Sequence, residues 1–227
     1  MAKANRLQSP VAPNLPVAPT IYTPQHYDVF SNVLRLYFNR IDQGLTALFG
    51  DQGGSFLNIP FISAYDSNNQ YAAGNNTPTA AIWSNGTING FTLGATEATC
   101  QHSGIYKITY SLQFANTSNA AVDAVVWLRV NGTTSAADVI ESSTKFTIPA
   151  RKSAGVPSYV CGYSEVVFEL NAGDTVSLWW GTPTAYNPVG PVDGVYIIAE
   201  PAATTPMPYP SIPSALGSIT FVSALEK

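Results

Sequence analysis

The sequence predicts a mainly β protein: an antiparallel β-sandwich preceded by an extended arm and one α-helix. Three observations carry this. Near the start, prolines recur almost every third residue. One stretch after them has helical periodicity. From residue 56 onward, apolar and polar residues alternate between turns rich in Gly, Asn, Pro and Thr. The 227 residues suffice for one sizeable β-domain with appendages.

The arm comes first. Residues 9–24 carry prolines at 10, 13, 16, 19 and 24. Proline fixes φ and lacks an N–H, so the segment cannot be helical and favours polyproline II. At about 3.1 Å per residue it reaches roughly 50 Å. Leu15, Ile21 and Tyr22 have no place in a plain spacer, so residues 1–24 read as an attachment arm that orders along a partner; the alternative is a disordered tail.

Residues 25–50 hold the one helical candidate. Thr23 is placed as N-cap, with Pro24 at the first helical position. Phe30, Leu34, Tyr37, Ile41 and Leu48 form a heptad seam, with Gly44 at the skipped core position. Val33, Phe38 and Leu45 widen the apolar face, and Gly50 and the Gly53-Gly54 pair end the helix. So short a seam leaves two readings open: a trimeric coiled coil, or an amphipathic helix packed on the β-domain or a neighbouring protein.

The sandwich is placed over residues 56–227. Strands are predicted at 57–65, 80–83, 91–93, 98–102, 105–115, 122–130, 143–148, 158–170, 174–181, 194–199 and 216–224. In 105–115, Ile108, Tyr110, Leu112 and Phe114 share one face. Asn85-Gly86, Asn131-Gly132 and Ala172-Gly173-Asp174 read as turns, since Asn and Gly tolerate positive φ. Many short strands at this spacing point to a sandwich or jelly roll. The Pro-rich run 200–214 reads as a loop delivering a last strand, which closes the sheet or adds to a neighbour's.

Composition narrows the function. Only 11% of residues are charged and the net charge is −4. The ordinary charged share is about 25%. A surface so poor in charge is either polar and neutral or buried against other subunits. The ten Lys and Arg are scattered, so nucleic acid is not an expected partner. No apolar run is long enough for a membrane span. Met1-Ala2-Lys3-Ala4-Asn5-Arg6 leads into Pro-rich sequence and not an apolar stretch, so no signal peptide is expected and a reducing cytoplasm is the default site of synthesis.

Catalytic and metal chemistry finds little support. His26 and His102 sit in different segments with no zinc-site spacing. Cys100 and His102 share a strand face but have no third orienting group. Glu165 and Glu169 read as a solvated sheet edge, and Asp66-Ser67-Asn68-Asn69 lacks calcium-loop spacing. No cofactor is expected. Cys100 and Cys161 are either two unpaired strand residues or a bridge. Trp83, Trp127, Trp179 and Trp180, with Tyr159, Tyr163 and Tyr186, read either as core or as a carbohydrate-stacking surface. Adjacent Trp179 and Trp180 must face opposite ways: one inward, the other toward solvent, ligand or, as favoured here, a second subunit.

Three segments carry a family resemblance. Gly104-Ile105-Tyr106-Lys107-Ile108-Thr109-Tyr110 resembles the G-x-Y-x-(I/F)-x-Y strand of C1q/tumour-necrosis-factor-like jelly rolls. Trp127-Leu128-Arg129-Val130-Asn131-Gly132 and Leu170-Asn171-Ala172-Gly173-Asp174-Thr175-Val176-Ser177-Leu178 look like two further elements of that family, in the right order. The resemblance covers roughly residues 57–200. It implies a compact homotrimer, for which Tyr106, Tyr110, Trp179, Trp180 and Tyr196 are the candidate interface aromatics. Secreted animal members carry signal peptides and often collagen stalks; neither is seen here. The whole layout also looks like structural proteins of tailed bacteriophages. That resemblance implies a non-enzymatic virion protein, either capsid decoration (cement) or a short head or tail fibre. Its partners would be its own copies and the major capsid protein or another virion protein. In the fibre reading, a host surface glycan or receptor joins them.

Overall fold

A computed structural model describes residues 13–17, 20–21, 23–49, 59–190 and 192–225. Tyr22, Gly50, Gly53 and Gly54, and the expected start of the first strand at 57, lie outside these residues. The chain divides between Asn58 and Ile59 into two units.

In the first unit α1 spans Pro24–Phe49. At about 1.5 Å per residue it is roughly 39 Å long. Proline is suited to its first position because that N–H has no helical acceptor anyway. The first intrahelical bond runs from the Tyr27 N–H to the Thr23 carbonyl at 3.4 Å. Phe30, Leu34, Tyr37, Ile41, Gly44 and Leu48 are half-buried along one side, and Leu36 and Phe38 are exposed. Ahead of the helix, Leu15 and Ile21 are exposed.

The second unit is built from twelve strands: β1 Phe61–Asp66, β2 Thr79–Ala80, β3 Asn85–Asn89, β4 Phe91–Leu93, β5 Glu97–Cys100, β6 Gly104–Asn116, β7 Val122–Val130, β8 Asp138–Ile148, β9 Ser158–Leu170, β10 Thr175–Gly181, β11 Val195–Ile197 and β12 Ala215–Ser223. They form two antiparallel sheets. Sheet I runs β3-β1-β12-β6-β9, with β11 extending the β12 side of β6, and sheet II runs β4-β5-β10-β7-β8, with β2 beside β10. Consider the eight strands β1, β5, β6, β7, β8, β9, β10 and β12 as first to eighth. Sheet I then reads first, eighth, third, sixth, and sheet II second, seventh, fourth, fifth. Two sheets in these orders are a jelly roll.

Each family-like segment has a physical reason in this fold. Gly104, Tyr106, Ile108, Tyr110, Leu112 and Phe114 alternate inward along β6 and are buried. A Cβ on Gly104 would lie 2.6 Å from the Phe221 ring, so that position has no room for a side chain. The other two segments meet in space. Asn131 ends β7 with φ of 58°, and Gly173 turns with φ of 95°. The Asn131 amide donates to Asp174 Oδ1 at 2.7 Å, and the Thr175 N–H donates back to Asn131 Oδ1 at 2.9 Å. Asp174 Oδ2 also accepts the Asn171 N–H at 2.7 Å. The two turns are one hydrogen-bonded corner.

One sequence expectation changes, and one open alternative is settled. Asn85-Gly86 is not a turn; it opens β3, with Asn85 opposite Tyr65 and Gly86 opposite Ala64. A Cβ on Gly86 would lie 2.9 Å from the Leu93 side chain, so this glycine serves close packing and not positive φ. The last strand does not reach a neighbour: β12 lies between β1 and β6 of its own sheet. The 200–214 loop that delivers it is pinched by the Glu200–Ile212 and Ala203–Tyr209 bridges.

Replacing Asp174 with Ala removes the two carboxylate acceptors of this corner. The expected loss is about 1–2 kcal/mol of unfolding free energy in urea titration. Asn131→Ala should cost a similar amount, and the double variant clearly less than the sum.

Candidate functional site

The chemistry-bearing residues of the sequence do not converge. Among the described residues no three His, Cys, Asp or Glu side chains gather as a metal site. Buried Cys100 donates its thiol to the His102 carbonyl at 3.0 Å, not to the imidazole, and the Tyr106 hydroxyl donates to the same oxygen at 2.6 Å. Burial, with Cys100 beside it, pushes the Tyr106 phenol well above its ordinary range. Cys161 is exposed on β9 of the opposite sheet, so the two cysteines are unpaired thiols and the bridge is absent. Glu165 pairs with Lys107 at 2.9 Å, both half in solvent, and Glu169 is exposed. Asp66 is buried and turned inward, accepting from Gln70 at 3.0 Å, Asn68 at 3.1 Å and Ser84. Its carboxylate therefore ties β1 to the following loops and is not presented to a cation.

The five candidate interface aromatics separate. Tyr106, Tyr110 and Trp180 are 0%, 3% and 0% exposed, inside the sandwich. They cannot touch a second subunit, because alternation turns them to the inner face of their strands. Trp179 is on the outer face of sheet II, but a group of its own chain covers it. The Arg129 guanidinium lies 4.0 Å from its ring centroid and 5.6 Å from that of Trp127. Arg129 is 4% exposed and pairs with Asp138 at 2.6 Å; the Trp127 indole donates to the same carboxylate oxygen at 2.7 Å. This Trp-Arg-Trp layer explains the outward tryptophan without a subunit contact. Tyr196, 9% exposed, belongs to a tyrosine cluster at one end of the sandwich. The wider set of aromatics proposed as a stacking surface is likewise dispersed: Trp83 packs inside against Gly217, while Tyr159 and Tyr163 lie on the outer face of sheet I.

That outer face is the unexpected surface. Outward residues line up across four strands: Tyr65 opposite Leu216, Leu216 opposite Ser111, and Ser111 opposite Tyr163. A parallel row joins Phe61, Thr220, Lys107 and Val167. Tyr163, Val167, Leu216 and Val222 are 45–58% exposed. Between these rows runs a polar one, Ser63, Ser218, Thr109 and Glu165, and Glu165 neutralises Lys107 of the second row. Sequence reasoning left Tyr163 open between core and surface and missed the face, because its members come from 61, 65, 163, 167 and 216 and share no local pattern.

On α1, Phe30, Leu34, Tyr37, Ile41 and Leu48 lie along one side of the helix; Leu15 and Ile21 of the arm are exposed, and Tyr22 is outside the described residues. No described helix is long and apolar enough to cross a membrane.

No protein-family model and no curated protein matches the chain. Solved structures do match, among them murine APRIL, crystallised at pH 5.0. It is 13% identical with a TM-score of 0.42, over 72% of this chain and 99% of that one. The likeness concerns the fold alone; the jelly roll itself rests on the strand orders.

Two tests follow from these geometries. Arg129→Ala leaves Asp138 half-buried without its cation and strips the cover from Trp179. A loss of about 3 kcal/mol or more is expected in chemical denaturation. Burial opposes ionisation of Asp66, but its hydrogen bonds from Ser84, Asn68 and Gln70 outweigh that and hold its carboxyl below 3.8. The folded state thus binds the proton less readily than the unfolded one. Its contribution to stability is complete above 3.8 and is lost as pH falls through the depressed value. Between neutral and strongly acidic pH, the urea midpoint of Asp66→Asn should fall less than that of the parent.

Proposed function

We propose that this chain is a non-enzymatic structural protein of a tailed-phage virion: a homotrimeric capsid decoration (cement) protein held to the shell by its N-terminal arm and helix. The observation that carries this reading is the set of exposed aromatic and aliphatic side chains on the outer face of sheet I. Exposed Tyr65, Leu216, Tyr163, Val167 and Phe61 on one face suit a self-associating surface. A stable interface buries about 800 Å² per partner, and a face four strands wide is of that order. The scarcity of charge, 11% of residues, supports the same reading. The half-buried seam of α1 offers a second, parallel route to a trimer, and the exposed Leu15 and Ile21 offer apolar anchors for the arm. In this reading no residue is catalytic and no cofactor takes part; the protein bridges shell subunits and the contact area resists internal pressure.

A second reading, a head or tail fibre whose knob binds a host surface, is favoured by a hollow between the loops at one end of the sandwich.

Two experiments separate these roles. Leu216→Arg buries a charge in the proposed contact, and sedimentation equilibrium should show the trimer replaced by smaller species. A trimer unchanged by it would remove sheet I from the interface. A truncation lacking residues 1–24 should remain a folded trimer that no longer binds particles. Particle binding undiminished in that truncation would overturn the anchoring role.

A further inference from the structure

At one end of the sandwich, the loop after β1 faces the loop between β10 and β11 across a hollow of about 340 Å³. Tyr71 and Asn75 of the first loop and Tyr186 and Asn187 of the second line it. The two tyrosine rings are 5.9 Å apart between centroids. Each also packs on Tyr196 beneath, at 5.7 Å for Tyr71 and 4.9 Å for Tyr186. Tyr196 is 9% exposed, whereas Tyr71 keeps 37% of its surface open. Burial, and the neighbouring Tyr159, Tyr186, Tyr71 and Glu200, push the Tyr196 phenol up to about 12. The base of the cluster is therefore neutral at physiological pH.

The walls are fixed before any ligand arrives. Gln70 bridges to Ile197 through both backbone groups, at 2.8 and 3.0 Å. The Tyr186 N–H donates to the Val195 carbonyl at 3.1 Å. Asn75 Oδ1 accepts the Ala185 N–H at 2.8 Å and so ties one loop to the other. A Cβ on Gly194 would sit 2.4 Å from the Ala185 backbone, so the two arms of the β10–β11 loop approach this closely only because residue 194 has no side chain.

We propose that this hollow binds a neutral saccharide. Its lining mixes aromatic rings with amides and includes no charged side chain. That excludes selection for phosphate, sulfate or carboxylate groups and fits an uncharged ligand with both an apolar and a hydroxylated face. A pyranose has that form: its C–H face stacks on tyrosine and its hydroxyls bond to amides. Because the oxygens of Asn75 and Asn187 are taken by backbone N–H groups, their amide N–H₂ groups turn the other way, and neither has a protein acceptor among the described residues. The Tyr71 hydroxyl, which accepts from Asn69 at 3.4 Å, keeps its own proton to donate. The volume lies at the small end of ligand sites, suiting one or two sugar rings. A polyproline segment would instead need a groove with successive pockets about 9 Å apart, at 3.1 Å per residue. The inference holds whether the trimers sit on head or tail.

The test is saturation-transfer NMR on the full chain with glucose, galactose, mannose and N-acetylglucosamine and their disaccharides at millimolar concentration. Transfer to at least one of them is expected. Tyr71→Ala and Tyr186→Ala should each weaken that binding about tenfold or more. Tyr71→Phe and Tyr186→Phe, which keep the rings, should retain it. Ala73→Trp, at an exposed position of the lining, should fill the hollow and abolish binding with the melting temperature unchanged; it decides the matter if the alanine variants fail to fold. Three results would overturn the proposal: no transfer to any sugar, transfer undiminished in Ala73→Trp, or a synthetic peptide of residues 9–24 occupying the hollow where no sugar does.

Discussion

From Gly104 to Phe114, alternate residues of β6 are pressed between the two sheets, and the rest of the sandwich is arranged around that burial. β6 pairs with β9 along its whole length on one side, and with β12 and β11 on the other. Its inward side chains meet Phe91, Phe146, Trp180 and Phe221. Burying side chains of this size contributes about 1.5–3 kcal/mol each. A one-residue slip would turn the whole row outward. Where space runs out, glycine is used: a Cβ on Gly162 would lie 3.0 Å from the Phe114 ring, and one on Gly217 would lie 2.8 Å from the Trp83 indole. Because β6 pairs with β9, β11 and β12, all far downstream in the sequence, the fold is dominated by long-range contacts, and slow folding is the expected consequence.

With the inner faces committed to packing, the two outer faces differ. Sheet II covers its outward aromatics with its own buried cation, Arg129, held by Asp138. Sheet I leaves its aromatic and aliphatic residues exposed, with Lys107 and Glu165 neutralised among them. The first face covers its tryptophans within the chain; the second leaves Tyr163, Val167 and Leu216 open to solvent. That difference, and not any reactive group, is the most informative functional feature of the sandwich. It agrees with a chain in which two cysteines and two histidines form no reactive constellation among the described residues.

Much of this was legible in the sequence. Alternation located the long strands because each has one buried face, and heptad spacing located the side of α1 that carries Phe30 to Leu48. What escaped was decided by distant contacts. Asn85-Gly86 looked like a turn because the dipeptide suits one; only pairing with β1 makes it a strand. Arg129 looked like one of ten scattered cations, and only its position between Trp127 and Trp179 reveals it as buried. Tyr106 and Tyr110 were open to either core or interface, since alternation alone does not say which face is inner. The tyrosine-walled hollow draws on Tyr71, Tyr186 and Tyr196, and no local pattern links residue 71 to the other two.

The central claim, that the protein decorates a phage shell, is tested most directly by counting it. Quantitative mass spectrometry of purified particles would give its copy number against the major shell protein. The account predicts hundreds of copies, at parity with the shell protein or a third of it. A dozen copies would contradict the decoration role in favour of a fibre, and none would contradict the virion assignment itself.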